Sequence, residues 1–122
     1  MANTSTKAFM YLLRGGISET TLSPEQMQKM VEKYMNYIQG LRDKGHFIAG
    51  EPLEETGKIL SGERGRKVTD GPFTESKEAV GGYFLIRAKD LNEAVELSRD
   101  CPILANGGEI EVRPIQKIPG ME

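Results

Sequence analysis

The side chains best placed to do chemistry gather around one turn. Asp70 is followed by Gly71 and Pro72, then by Glu75, Lys77 and Glu78, all just ahead of the apolar run Gly82–Ile86. Glycine allows backbone angles closed to other residues and proline fixes φ, so this turn is rigid and aims its charged groups. Asp70 could serve there as a base or hold a ligand's polar group, since crowded like charges make a carboxyl bind its proton more tightly. It could equally cap its own turn by accepting from the backbone, as aspartate often does.

Other candidates are scattered. Arg14, Arg87, Glu111 and Arg113 fall in or at the ends of expected strands, where a bare charge on a covered face is rare. Glu111 and Arg113 are two residues apart and so share one strand face, where they can pair. These charges either line a polar pocket or lie on a wet rim. Tyr34 falls on the apolar side of a helix, and its hydroxyl needs a partner or a pocket if buried. His46 has no second histidine or cysteine pattern to build a metal site with, and no nucleophile elbow accompanies it. Cys101 lies at a helix end beside Asp100, where nothing favours a thiolate, so it reads as structural. Neither Gly62–Gly65 nor Gly81–Gly82 forms a phosphate-binding fingerprint. No metal and no cofactor is expected.

The elements that must position these residues follow from periodicity. Ala8–Leu13 is a short apolar run that predicts a buried strand. Ser23, Pro24 and Gln26 form a helix-start signature, and Met27, Met30, Val31, Tyr34, Met35, Ile38 and Leu41 recur at helical spacing up to the stop at Gly45. His46–Gly50 predicts a second strand, Lys58–Leu60 and Arg66–Thr69 two short ones, and Gly82–Lys89 a firm one. Asp90 with Glu93 opens a second helix, which Pro102 is expected to end. Glu109–Ile118 predicts the last strand. This order predicts an α+β, ferredoxin-like antiparallel sheet with two main helices on one face. The other face would be left bare, which predicts a homodimer with the two sheets packed together.

At 122 residues the chain is expected to form a single domain over residues 8–118, after a flexible tail at 1–7. Sixteen basic against eighteen acidic residues give a net charge of −2, which speaks against direct nucleic-acid binding. The basic cluster Arg64, Arg66 and Lys67 reads as a solvated hairpin tip. A single cysteine excludes an internal disulfide. The polar start carries no signal-like core, and no apolar run approaches the roughly 20 residues of a membrane span. A cytoplasmic location, away from membranes, is the expectation.

The stretch Val68–Ile86, with Asp70-Gly71-Pro72-Phe73, resembles the DGPF subgroup of the YCII-related proteins. Leu91–Ala94 resembles that family's second-helix entry, and Glu109–Ile115, with its Glu-Val-Arg-Pro, resembles its closing strand. The resemblance spans roughly residues 8–115. It implies a dimeric α+β barrel with a cleft between sheet and helices. Members of the wider group carry a His/Asp pair proposed as an active site, but helix 1 here has no histidine, and Tyr34 stands at the matching position by its spacing to Gly45. An acid–base dyad therefore does not carry over. A few relatives are small-molecule lyases or dehalogenases, and some DGPF proteins are associated with alternative sigma factors. The expectation is thus a homodimer with a small-molecule pocket near the Asp70 turn, with Asp70 as its key polar or catalytic residue and Arg14, Tyr34, Glu111 and Arg113 as ligand-binding groups. Two alternatives are a cofactor-free lyase or isomerase acting on a small polar or aromatic compound, and a non-enzymatic accessory to a sigma-factor regulator.

Overall fold

Phe9, Tyr11 and Leu13 alternate with Met10, Leu12 and Arg14, and this period of two gives the first strand two unlike faces. The computed structural model describes residues 6–16, 21–71 and 79–121. In it, β1 runs Lys7–Arg14, one residue ahead of the strand expected from sequence, with Phe9, Tyr11 and Leu13 buried and the residues between them only partly covered. The long helix α1 follows at Pro24–Asp43, then β2 (Phe47–Pro52), β3 (Gly57–Ser61), β4 (Lys67–Gly71), β5 (Val80–Ala88), α2 (Leu91–Ser98), α3 (Pro102–Ala105) and β6 (Glu109–Pro114).

Four strands form one antiparallel sheet in the order β2-β5-β1-β6. This is an antiparallel sheet with helices packed on one face, the α+β ferredoxin-like arrangement that the element order predicts. The core lies between sheet and helices: Phe9, Tyr11, Leu13, Phe84, Ile86 and Ala88 from the sheet meet Leu41, Ala94, Cys101 and Ile103. Two tyrosines tie the layers together. Tyr11 Oη donates to the Ala94 carbonyl at 2.5 Å, and Tyr37 Oη donates to the Leu97 carbonyl at 2.8 Å. Each hydroxyl thus keeps a partner where water is excluded, which an unpaired buried hydroxyl would lack at a cost of about 1–3 kcal/mol.

The start of α1 is built as the sequence signature requires. Ser23 Oγ accepts from Gln26 N, and Gln26 Oε1 accepts from Ser23 N, so two helix-end donors are satisfied reciprocally. Its apolar face is narrower than periodicity suggests. Tyr34, Tyr37 and Ile38 pack on the core and Leu41 is buried, whereas Val31 and Met35 are about half exposed. Twenty residues make a helix of about 30 Å, longer than the short strands beneath can cover.

Three expectations are corrected. Pro102 does not end α2: that helix stops at Ser98, and Pro102 opens α3, taking a first-turn position where its missing N–H is no loss. The last strand stops at Pro114, not Ile118, after which only Ile115 N still reaches back to the Ala8 carbonyl. The strands at 57–71 do not join the main sheet. β3 and β4 pair only with each other, as a ribbon joined through Gly62, Arg64 and Gly65, all at positive φ. Gly71 closes that ribbon, so Pro72–Glu78, with Glu75, Lys77 and Glu78, lies outside the described residues.

Candidate functional site

The helix-free face of the sheet carries a charge cluster on an apolar floor. Strand alternation puts Met10, Leu12 and Arg14 on that face of β1, Tyr83 and Leu85 on that of β5, and Glu111 and Arg113 on that of β6. Glu111 lies opposite Leu12 in the ladder, one diagonal step from Arg14. Arg14 Nη2 meets Glu111 Oε1 at 2.5 Å, and Arg113 Nε stands 3.8 Å from Glu111 Oε2. Glu111 stands between two guanidiniums, and Glu109, opposite Arg14 on the same face, brings the charges into balance. Arg14 is about one-third exposed while Arg113 is 67% exposed, so Arg113 presents donors to anything resting on the floor. Guanidinium recognises planar anions such as carboxylates through paired hydrogen bonds.

The other candidates lie elsewhere. Tyr34 sits on the far side of the sheet, its ring 6.4 Å from that of Phe84 among the helices. It does not join Arg14, Glu111 and Arg113. Burial pushes the Tyr34 hydroxyl up to about 12, so at neutral pH it keeps its proton and can donate a hydrogen bond but not serve as a base. Asp70 is in the β3–β4 ribbon, 88% exposed and paired with Lys58 Nζ at 2.5 Å. So solvated a pair contributes little to stability. Its partner and its place on the ribbon, not a buried turn, define its surroundings here. Arg87, two residues on from Leu85, shares the helix-free face but stands toward its far end, exposed and opposite Ala8, with its carbonyl bonded to His46 Nδ1 at 2.9 Å.

Burial also raises Cys101 to about 11, and it raises Tyr11 and Tyr37 further still. These groups fold in their neutral forms, and an unfolded chain would release their protons at the ordinary values of 9.0 for Cys and 10.0 for Tyr. Their contribution is therefore complete below pH 9 and is lost as pH rises toward the folded values. Denaturant titrations should give constant stability from pH 7 to 8.5 and a steep decline from pH 9.5 to 11.5; constant stability across that upper range would contradict the burial.

A second feature groups residues that the sequence does not bring together, His46 among them. A groove of about 560 Å³ runs along the helix layer between α1 and the α2–α3 corner. Lys33, Tyr37, Gly40, Leu41 and Lys44 form one wall, and Leu97, Asp100 and Pro102 belong to the other. Gly40 is the available sequence signal. A glycine inside a helix costs about 1 kcal/mol relative to alanine, and here a Cβ would meet no atom within 4 Å.

Among the described residues, no group of three or more His, Cys, Asp or Glu side chains could hold a metal ion, and no helix is long and apolar enough to cross a membrane.

With these positions in view, comparison with known proteins places the chain. A family profile for the YCII-related domain matches residues 9–119, and the chain belongs to that family. An uncharacterised protein of Rhizobium meliloti (strain 1021) is 44% identical over 52 residues, 39% of this chain and 40% of its own length. The match thus spans well under half of that relative. Among solved structures, 5-chloro-2-hydroxyhydroquinone dehydrochlorinase from Burkholderia phenoliruptrix AC1100, in complex with 2,5-dihydroxybenzoquinone, aligns over 91% of this chain and 95% of its own, with 16% identity and a TM-score of 0.47.

Proposed function

We propose that the protein acts as a homodimer in which the helix-free faces of two sheets meet and enclose a small-molecule site. The observation that carries this is the Arg14–Glu111–Arg113 cluster set on a floor of Met10, Leu12, Tyr83 and Leu85. A sheet with one face buried under helices and the other apolar at its centre needs cover, and a face bearing both signs of charge is complementary to itself under two-fold symmetry. The β3–β4 ribbon exposes Leu60 and Val68, paired across its ladder, as further apolar surface for a second copy to cover, and on this reading the ribbon, with Asp70, folds over the chamber of the partner copy. On this view Arg113 holds a ligand's carboxylate or enolate, Glu111 and Arg14 orient it, and Asp70 closes the rim. The motif around Asp70 supports the DGPF subgroup.

Light scattering at micromolar concentration tests the dimer: twice the 13.5 kDa chain mass is expected, and 13.5 kDa would overturn it. A thermal-shift screen of small aromatic and aliphatic carboxylates tests the site. A ligand at one hundred times its dissociation constant adds about 2.7 kcal/mol, which is readily seen as a shift in melting temperature. The shift should vanish in Arg113→Ala and shrink in Asp70→Asn; equal shifts in the wild type and Arg113→Ala would remove the cluster from the site. Chromatography of the bound hit after incubation separates a binding protein from a cofactor-free lyase or isomerase.

A further inference from the structure

We propose that the groove between α1 and the α2–α3 corner is a second ligand site, on the side of the sheet opposite the charge cluster, and that it takes a small organic anion with an apolar body. Its volume of about 560 Å³ lies in the range of small-molecule sites, roughly 300–1,000 Å³. The floor is apolar, formed by Leu41, Leu97 and Pro102 with the ring of Tyr37. The lip is cationic: Lys33 and Lys44 stand on one side, against Asp100 as the single acidic lining residue. Other charges at the end of α1 are engaged elsewhere. Asp43 accepts from Gln39 Nε2 at 2.8 Å, and the Arg42 guanidinium lies 4.9 Å from the centre of the Phe47 ring. Lys44 is therefore the charge from that turn which borders the groove.

Gly40 is the independent sign of an occupant. It lies between the two lysines on the groove wall and is the one glycine within α1. Nothing in the chain needs the missing side chain, since a Cβ there would meet open space. What the glycine supplies is room against the helix backbone, where a flat body can lie between Lys33 and Lys44. The Tyr37 hydroxyl is already committed to the Leu97 carbonyl, so the wall behind that body is fixed before anything binds.

Benzoate is the probe, with benzylamine as its charge-reversed counterpart, each titrated into the ¹⁵N-labelled full chain and followed by amide chemical shifts. Benzoate should move the amides of Gly40, Leu97 and Asn106, and benzylamine should not. Lys44→Glu should weaken benzoate by more than about tenfold, since one charge-assisted hydrogen bond is lost and a like charge takes its place. Gly40→Leu should abolish the shifts while raising the melting temperature by a few degrees, because leucine is the better helix former and fills only open space. Loss of binding through misfolding would lower that temperature instead. Shifts confined to Met10, Leu12 and Leu85 would overturn this site while supporting the one on the helix-free face. Equal response to both probes, or unchanged affinity in Lys44→Glu, would overturn it as well.

Discussion

Leu12→Glu is expected to yield a folded monomer. Leu12 lies at the centre of the helix-free face, opposite Tyr83 on one side and Glu111 on the other. Its side chain points away from the helix-side core, so the substitution leaves Phe9, Tyr11, Leu13 and their partners untouched. In the proposed dimer the new carboxylate would enter an apolar seam twice, once from each copy, and beside Glu111. A carboxylate buried there costs several kcal/mol even with Arg14 and Arg113 on the same face, so dimer affinity should fall by roughly a hundredfold or more. Light scattering across a dilution series reads the change, and circular dichroism reports whether the monomer keeps its fold. An unaltered dimer would move the interface elsewhere, with the β3–β4 ribbon as the first place to look. Leu12→Met, nearly isosteric, should leave association unchanged.

Phe84→Ala should be the most damaging single change in the helix-side core. Phe84 is 5% exposed and meets the rings of Tyr34, Tyr37 and Phe47 at centroid separations of 6.4, 5.8 and 6.3 Å. Removing it leaves three aromatic neighbours around a void, at a cost of about 3–5 kcal/mol out of a typical total of about 5–15. Gly50 is coupled to it. A Cβ at Gly50 would run into the Phe84 ring, and it would stand 3.0 Å from the Tyr83 carbonyl. Gly50→Ala should therefore destabilise by about 1–3 kcal/mol through overpacking. In a Phe84→Leu background the penalty should shrink, because the ring that causes the clash is gone. Urea titrations of the two single variants and the double variant measure this. Equal penalties in both backgrounds would assign the cost to the Tyr83 backbone.

What could be read in the chain depended on how local its cause is. The capping box at Ser23 and Gln26 is settled within four residues and is present as read. The apolar runs of β1 and β5 likewise mark strands locally, but that only alternate side chains, Phe9, Tyr11, Leu13, Phe84 and Ile86, are buried follows from helices covering one face alone. The pairing of Glu111 with Arg113 followed from strand period alone. Arg14 joins them because β1 lies between β5 and β6 in a particular register, and no local pattern encodes that. Pro102 was ambiguous for a local reason too, since proline both stops one helix and starts the next. Val31 and Met35 have the right spacing for a core face, but only the length of sheet beneath α1 decides which turns are covered. For Asp70 the sequence shows a rigid turn, whereas its exposure depends on β3 and β4 pairing with each other alone.

The central place of β1 has a consequence for how the chain comes into being. β1, Lys7–Arg14, pairs on one side with β5 and on the other with β6, both of which come much later in the sequence. During synthesis the run Phe9–Leu13 therefore has no ladder partner until β5 follows, about 70 residues later, and no second one until β6 follows, about a hundred residues later, some 5–20 seconds at ordinary elongation rates. Until β5 is made the strand has two open edges, and until β6 is made it keeps one, offered to whatever surrounds it. A nascent chain stalled before Glu109 would present β1 as a template for pairing between molecules. Loss of the last few residues of β6 should thus show first as lower yield from cells, before any defect in ligand binding is seen.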